Sequence, residues 1–296
     1  MSQQFVSTQD ACPAIVVFDI DGVVRDVGGS YRRALADTVE QFTEGAYRPA
    51  SREIDRLKSE GQWNNDWHAS QELIYRYFEA QGRPRAQIAL DFDALVAFFQ
   101  SRYRGPDEQN WTGYICQEPL LMSVAYLESL TQAGIKWGFF SGAPRVSAEY
   151  VLKQRLGLQD LVLIAMEDAP GKPDPTGLLA AVCQLENNSS IPPSVPVFYV
   201  GDTVADLYTV CRVKDWLGLN QLTDAKNSQT DFQEADAALP SLERTWIGVG
   251  VLPPHVQTDP KRQTAYTQLL QEAGAAAVFK HVEELTPTQI CQLVLG

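Results

Sequence analysis

Short apolar runs mark the two ends of this chain, and a long middle stretch has none. Ala14 to Phe18 (AIVVF), Ile135 to Phe140 (IKWGFF), Leu161 to Ala165, Val195 to Val200 (VPVFYV), Thr245 to Val251 and Ala275 to Phe279 read as strands. The first is apolar enough for burial on both faces, as in a parallel sheet. Pro196 marks the start of its strand, since proline cannot donate to a ladder. Helix-spaced apolar residues alternate with the later runs, over Leu120–Ala133, Val146–Leu156, Pro175–Leu185, Val204–Val213 and Thr264–Glu272, with a closing helix. Strands alternating with helices of this length imply βαβ units.

From Ser30 to about residue 115 the rhythm is helical throughout. Ser30 can cap a helix carrying Leu35, Val39 and Phe42, and Arg52–Glu60, Ala69–Ala80 and Asp91–Tyr103 follow. Because the opening strand belongs with the later α/β part, the helical block interrupts that domain. The expected division is a discontinuous parallel-sheet core, residues 1–27 and 116–296, with an all-α domain at residues 28–115. Lys214–Leu242 is polar and reads as a solvated insertion with one short helix.

Composition narrows the function classes. With 296 residues and 45% hydrophobic content the chain can bury a substantial core. A net charge of −13 argues against nucleic acid and anionic membranes as partners. Five scattered cysteines, Cys12, Cys116, Cys183, Cys211 and Cys291, read as reduced thiols of a cytoplasmic protein. MSQQFVSTQD lacks the features of a signal peptide, and no apolar run is long enough to span a membrane.

Candidate chemistry clusters where strands end. Asp19 and Asp21 close the first strand, Ser141 and Gly142 follow IKWGFF, and Asp202 and Asp206 follow VPVFYV, while Lys172 lies in EDAPGKPDP. In a parallel sheet these ends open on one edge, where such sheets bind ligands. His68, His255 and His281 have no ligand spacing and read as surface or core residues.

FDIDG, FFSG, the Lys172 segment and VGDTVAD, in this order, resemble the four motifs of the haloacid dehalogenase superfamily of phosphohydrolases. The helical insertion between the first two motifs resembles the cap of the phosphoglycolate phosphatase and β-phosphoglucomutase branch. The resemblance implies a Rossmann-like core with an inserted helical cap. It also implies a phosphatase acting on a small phosphorylated metabolite through an aspartyl phosphate on Asp19. A hard divalent cation, Mg²⁺, would be held by Asp19, Asp202 and a main-chain carbonyl near Asp21, with Asp206 a direct ligand or one step removed. Lys172 and the Ser141 hydroxyl, with the N–H beside it at Gly142, would steady the phosphoryl oxygens. Asp21 is left for proton work, and its presence favours phosphate esters over the dehalogenase and phosphonatase branches, which lack it.

In the helical block, GQWNNDWH (Gly61–His68) has two readings. It is either a helix-helix turn, or a specificity loop in which Asn64, Asn65 and Asp66 bind substrate hydroxyls and a tryptophan such as Trp67 stacks on a ring. Arg32 and Arg33 are solvated charges or clamps for a second anion, and Arg145, next to the second motif, is better placed for that role. Two other outcomes remain open at this level: a mutase-type phosphotransferase and a non-catalytic phospho-ligand binder.

Overall fold

Six strands, β1 (Ile15–Phe18), β2 (Lys136–Phe140), β3 (Leu163–Ile164), β4 (Val197–Gly201), β5 (Trp246–Val251) and β6 (Ala275–Phe279), form one parallel sheet in the order β3-β2-β1-β4-β5-β6. The computed structural model describes residues 13–58, 60, 62–63, 65–107, 109–188, 191–192, 194–224 and 244–295, with backbone alone at 219–224. Cys12 and most of the polar stretch lie outside the described residues.

β1 is central in position and in burial. Ile15, Val16, Val17 and Phe18 are fully buried, paired with β2 on one side and β4 on the other. Burying each such side chain contributes about 1.5–3 kcal/mol, which is why this short apolar run takes the middle of the sheet. The chain leaves β1 toward β2 and later returns on β1's other flank with β4. The sheet order therefore reverses between β1 and β4, the crevice where ligands bind in folds of this type. The β1 ladder continues past its end, since the Asp19 N–H donates to the Val200 carbonyl at 2.8 Å.

Helices α1 (Tyr31–Phe42), α2 (Ser51–Lys58), α3 (Asp66–Ala80) and α4 (Phe92–Tyr103) follow β1. The later helices are α5 (Val124–Gln132), α6 (Arg145–Glu149, continued by a π-helix over Tyr150–Arg155), α7 (Thr176–Asn187) and α8 (Val204–Asp224). The last three are α9 (Pro254–Gln257), α10 (Pro260–Glu272) and α11 (Pro287–Leu295). The chain divides into two compact units, Met1–Arg25 with Leu120–Gly296, and Asp26–Pro119. The first holds the sheet. The second is helical, with α1 packed on both α3 and α4.

Several boundaries differ from the sequence reading, three of them instructively. α5 begins at Val124, not Leu120, because Ser123 caps it and Leu120 instead pairs with Arg25. α8 continues past Val213 to Asp224, so the start of the polar stretch is helix; the rest, 225–242, lies outside the described residues. α10 starts at Pro260, four positions before Thr264, because the Asp259 carboxylate accepts from the Lys261 N–H and proline suits the first helical position.

Candidate active site

Strand ends bring three of the sequence candidates of the sheet unit, Asp19, Asp202 and Asp206, together. Oxygens of Asp19, Asp202 and Asp206 all lie within 4.8 Å of one another. Lys172 joins them, its Nζ 2.7 Å from both Asp19 Oδ1 and Asp206 Oδ1. The lysine also lies over two rings, 5.3 Å from the Phe140 centroid and 5.5 Å from that of Tyr199. Two carboxylates and two ring faces together hold the ammonium in place.

Two glycines make the cluster possible. Gly22 has φ +78°, and a Cβ there would fall 2.0 Å from Asp202 Oδ2. A Cβ at Gly201 would fall 2.2 Å from the Asp206 Cβ. Each carboxylate therefore occupies space that any other residue type would fill.

The electrostatics follow from burial. Desolvation, the largest influence on Asp19, pushes its carboxyl up to about 7; Lys172 opposes this, while Asp206 and Asp21 add to it. Burial, then Asp206 and Asp19, raise Asp202 well above the usual carboxylate range. For Lys172, burial disfavours the charge, but Asp19 and Asp206 outweigh it and hold the ammonium above the ordinary lysine range. Three carboxylates face a single lysine, so the fully ionised cluster carries two uncompensated negative charges. A hard divalent cation matches that deficit in charge and in its preference for oxygen donors, and the donor set therefore fits such an ion.

The members differ in what else they touch. Asp206 is fully buried and already engaged: Oδ1 accepts from the Tyr199 hydroxyl at 3.0 Å, and Oδ2 from the Thr203 N–H at 3.0 Å and hydroxyl at 2.6 Å. Asp202 has its carboxylate against Gly22, and its carbonyl accepts from the Tyr266 hydroxyl at 3.0 Å. Ser141 is buried, and its Oγ accepts from the Ala143 N–H at 3.1 Å, leaving the hydroxyl proton to donate. Gly142 beside it is exposed, with open space where a Cβ would be. The Asp21 side chain turns to Arg25, whose Nε lies 2.7 Å from its Oδ1.

The other candidates are held by near neighbours. Arg145 pairs with Asp168 and donates to the Leu163 carbonyl at 3.2 Å, so its guanidinium is committed to the β3 loop. Within the helical unit, the Asn65 side chain caps α3, accepting from the N–H groups of Trp67 at 2.9 Å and His68 at 3.1 Å. Trp67 is half-buried, and Asn64 lies outside the described residues. Arg32 pairs with Asp55 at 2.5 Å, and Arg33 lies 4.1 Å over the Tyr114 ring. Sequence reasoning assigned no role to Tyr199, Thr203 or Arg25. Tyr199 was hidden in a strand that reads as purely apolar, whereas Arg25, four residues after Asp21 across a glycine turn, was a readable signal.

A doubly wound parallel sheet with carboxylates, a lysine and a serine at the switch edge defines a class of α/β hydrolase. The sequence profile of haloacid dehalogenase-like hydrolases matches residues 13–209, and the chain belongs to that family. It is 31% identical over 195 residues to a protein from Phytophthora nicotianae named imidazoleglycerol-phosphate dehydratase, a match covering 65% of this chain and 40% of the relative. The chain thus spans well under half of that curated relative. Among solved structures it is similar to a phosphonoacetaldehyde hydrolase-like protein from Oleispira antarctica, with TM-score 0.59, 15% identity and coverage of 99% of this chain and 96% of the other. It is also similar to a haloacid dehalogenase family hydrolase from Deinococcus radiodurans solved with phosphate and sodium bound. There the TM-score is 0.56, identity 19% and coverage 97% and 98%. At such identities these likenesses carry the fold alone. Among the described residues no helix is long and apolar enough to cross a membrane.

Proposed function

We propose that this hydrolase is a Mg²⁺-dependent phosphatase that cleaves a small phosphorylated metabolite through an aspartyl phosphate on Asp19. The observation that carries the reading is the cluster of Asp19, Asp202 and Asp206 around Lys172. Asp19, Asp202 and a main-chain carbonyl near Asp21 would hold the cation, which would supply positive charge to offset repulsion between carboxylate and phosphate. Asp206 stands one step behind: its oxygens already accept from Tyr199 and Thr203, and it holds Lys172 in register.

Asp19 attacks phosphorus, and the phosphorus–oxygen bond to the leaving group breaks with its electron pair going to oxygen. Asp21 gives that oxygen a proton, then takes one from the water that cleaves the aspartyl phosphate. Lys172 and Ser141 offer a cation and a hydroxyl to the phosphoryl oxygens, where charge builds up in transit. Substrate selection is assigned to the helical unit, with Asn65 and Trp67 as its candidate polar and aromatic residues.

The metabolite class is a polyhydroxylated phosphate, such as a sugar phosphate or a phosphoglycolate-like acid. The name of the Phytophthora relative adds imidazoleglycerol phosphate, which combines hydroxyls with an aromatic ring. The test is a panel of phosphate esters assayed with Mg²⁺, with chelator, and with Asp19→Asn. Phosphate release that needs the cation and disappears in Asp19→Asn is the expected outcome. Undiminished release by Asp19→Asn would overturn the reading.

A further inference from the structure

Arg25 is the largest fully buried side chain among the described residues, and the reaction above makes no use of it. Its backbone is fixed from two sides. The Gly22 N–H donates to the Arg25 carbonyl at 2.9 Å, and the N–H groups of Val24 and Arg25 both donate to the Ile20 carbonyl, at 2.8 and 3.2 Å. On the other side Arg25 pairs antiparallel with Leu120, and the Leu121 N–H donates to the Val24 carbonyl at 2.8 Å. Arg25 is thus the last residue of the sheet unit before the inserted helices, and Leu120 the first after them.

The side chain is as constrained as the backbone. Nε and Nη2 approach the same oxygen, Asp21 Oδ1, at 2.7 and 2.6 Å. The arginine side chain is 0% exposed and that of Asp21 34%. An ordinary surface pair leaves both partners wet and mobile. A fork-to-fork pair would engage both carboxylate oxygens. Here a rigid, buried cation grips one oxygen of a part-exposed carboxyl, and Oδ2 is the oxygen it leaves clear.

We propose that Arg25 is a positioning residue for proton transfer: it fixes Asp21 through Oδ1 so that Oδ2 delivers the proton to the leaving oxygen. The proposal rests on the phosphatase reading and on Asp21 as its acid. The proton moves from Oδ2 to the leaving oxygen as the phosphorus–oxygen bond breaks, and Arg25 itself neither gains nor loses one. A purely structural arginine would instead slow all substrates alike.

Leaving groups separate the two. p-Nitrophenolate departs without a proton, whereas the alkoxide of benzyl phosphate needs one, and the two esters are similar in size. In Arg25→Gln, kcat/KM for benzyl phosphate is expected to fall about 10²-fold while that for p-nitrophenyl phosphate stays within about threefold. Arg25→Lys keeps the buried charge and loses the directed Nε–H bond to Oδ1. It is expected to show the same split at smaller size, and it carries the test if Arg25→Gln fails to fold. Asp21→Asn is the control and is expected to show the split in full. An equal fall on both esters in the Arg25 variants, or no fall, would overturn the role of Arg25 while the Asp21→Asn split stands. Absence of the split in Asp21→Asn would overturn the acid assignment itself.

Discussion

Charges are handled in opposite ways in the sheet unit and the helical unit. In the helical unit several cations meet carboxylates close by: Lys58 with Asp66 at 2.6 Å, Arg32 with Asp55 at 2.5 Å, Arg76 with Glu60 and Glu72, both at 2.7 Å. These groups keep contact with water, which screens what imbalance remains, as where Arg76 faces two carboxylates. At the sheet edge three carboxylates share one lysine, two glycines make room for them, and burial drives Asp19 and Asp202 toward protonation. Solvent-screened pairs of this kind position helices. An unbalanced buried cluster is relieved by taking up protons or by a bound cation, and such clusters gather at functional sites.

The contrast can be attacked at the glycine that makes the imbalance possible. Gly22→Ala puts a Cβ 2.0 Å from Asp202 Oδ2 and forces a side chain onto φ +78°. Backbone strain alone costs about 1–2 kcal/mol. Displacing Asp202 by about 1 Å is expected to cost some 10²-fold in Mg²⁺-dependent kcat/KM. A variant with wild-type activity and wild-type Mg²⁺ dependence would show that Asp202 need not sit where it does.

Next in size is a pH effect confined to the cluster. The Asp19 carboxyl is raised from an ordinary 3.8 to about 7, so between these values the folded chain keeps a proton that the unfolded chain has released. Stability of the cation-free protein is therefore expected to fall as pH rises through that window. Mg²⁺ favours the ionised form and opposes the fall, so the Tm difference between Mg²⁺ and chelator should widen from pH 4.5 to 7.5. Thermal melts showing a constant or shrinking difference would contradict a cation site at Asp19.

The smallest effect belongs to the helical unit. Asn65→Ala removes the cap of α3 and is expected to cost about 1 kcal/mol in denaturant melts, whatever else the residue does. If the residue also selects substrate, kcat/KM for the preferred ester falls in the double variant Asn65→Ala, Trp67→Ala. Unchanged kcat/KM would reduce Asn65 to a helix cap.

The sheet was legible because its strands are short, apolar and bounded by acids and glycines, and because their alternation with helices admits few topologies. The grouping of Asp19, Asp202 and Asp206 was legible for the same reason, since the ends of parallel strands share an edge. Arg145 read poorly: its place in sequence suited a ligand, but it is held by Asp168, a partner 23 positions along the chain. Tyr199 was hidden because strand periodicity gives a tyrosine's ring and says nothing of where its hydroxyl points. Helix ends at Ser123 and Asp259 were set by single capping side chains, which apolar spacing does not register.

The central claim is that Asp19 carries the phosphoryl group. Quenching the enzyme with borohydride during turnover of p-nitrophenyl phosphate in Mg²⁺ reduces an aspartyl phosphate to homoserine, and peptide mass spectrometry locates it. Homoserine at position 19, present during turnover and absent with chelator or without substrate, is the predicted result. Continued phosphate release with aspartate intact at position 19, or reduction at another carboxylate, would contradict it.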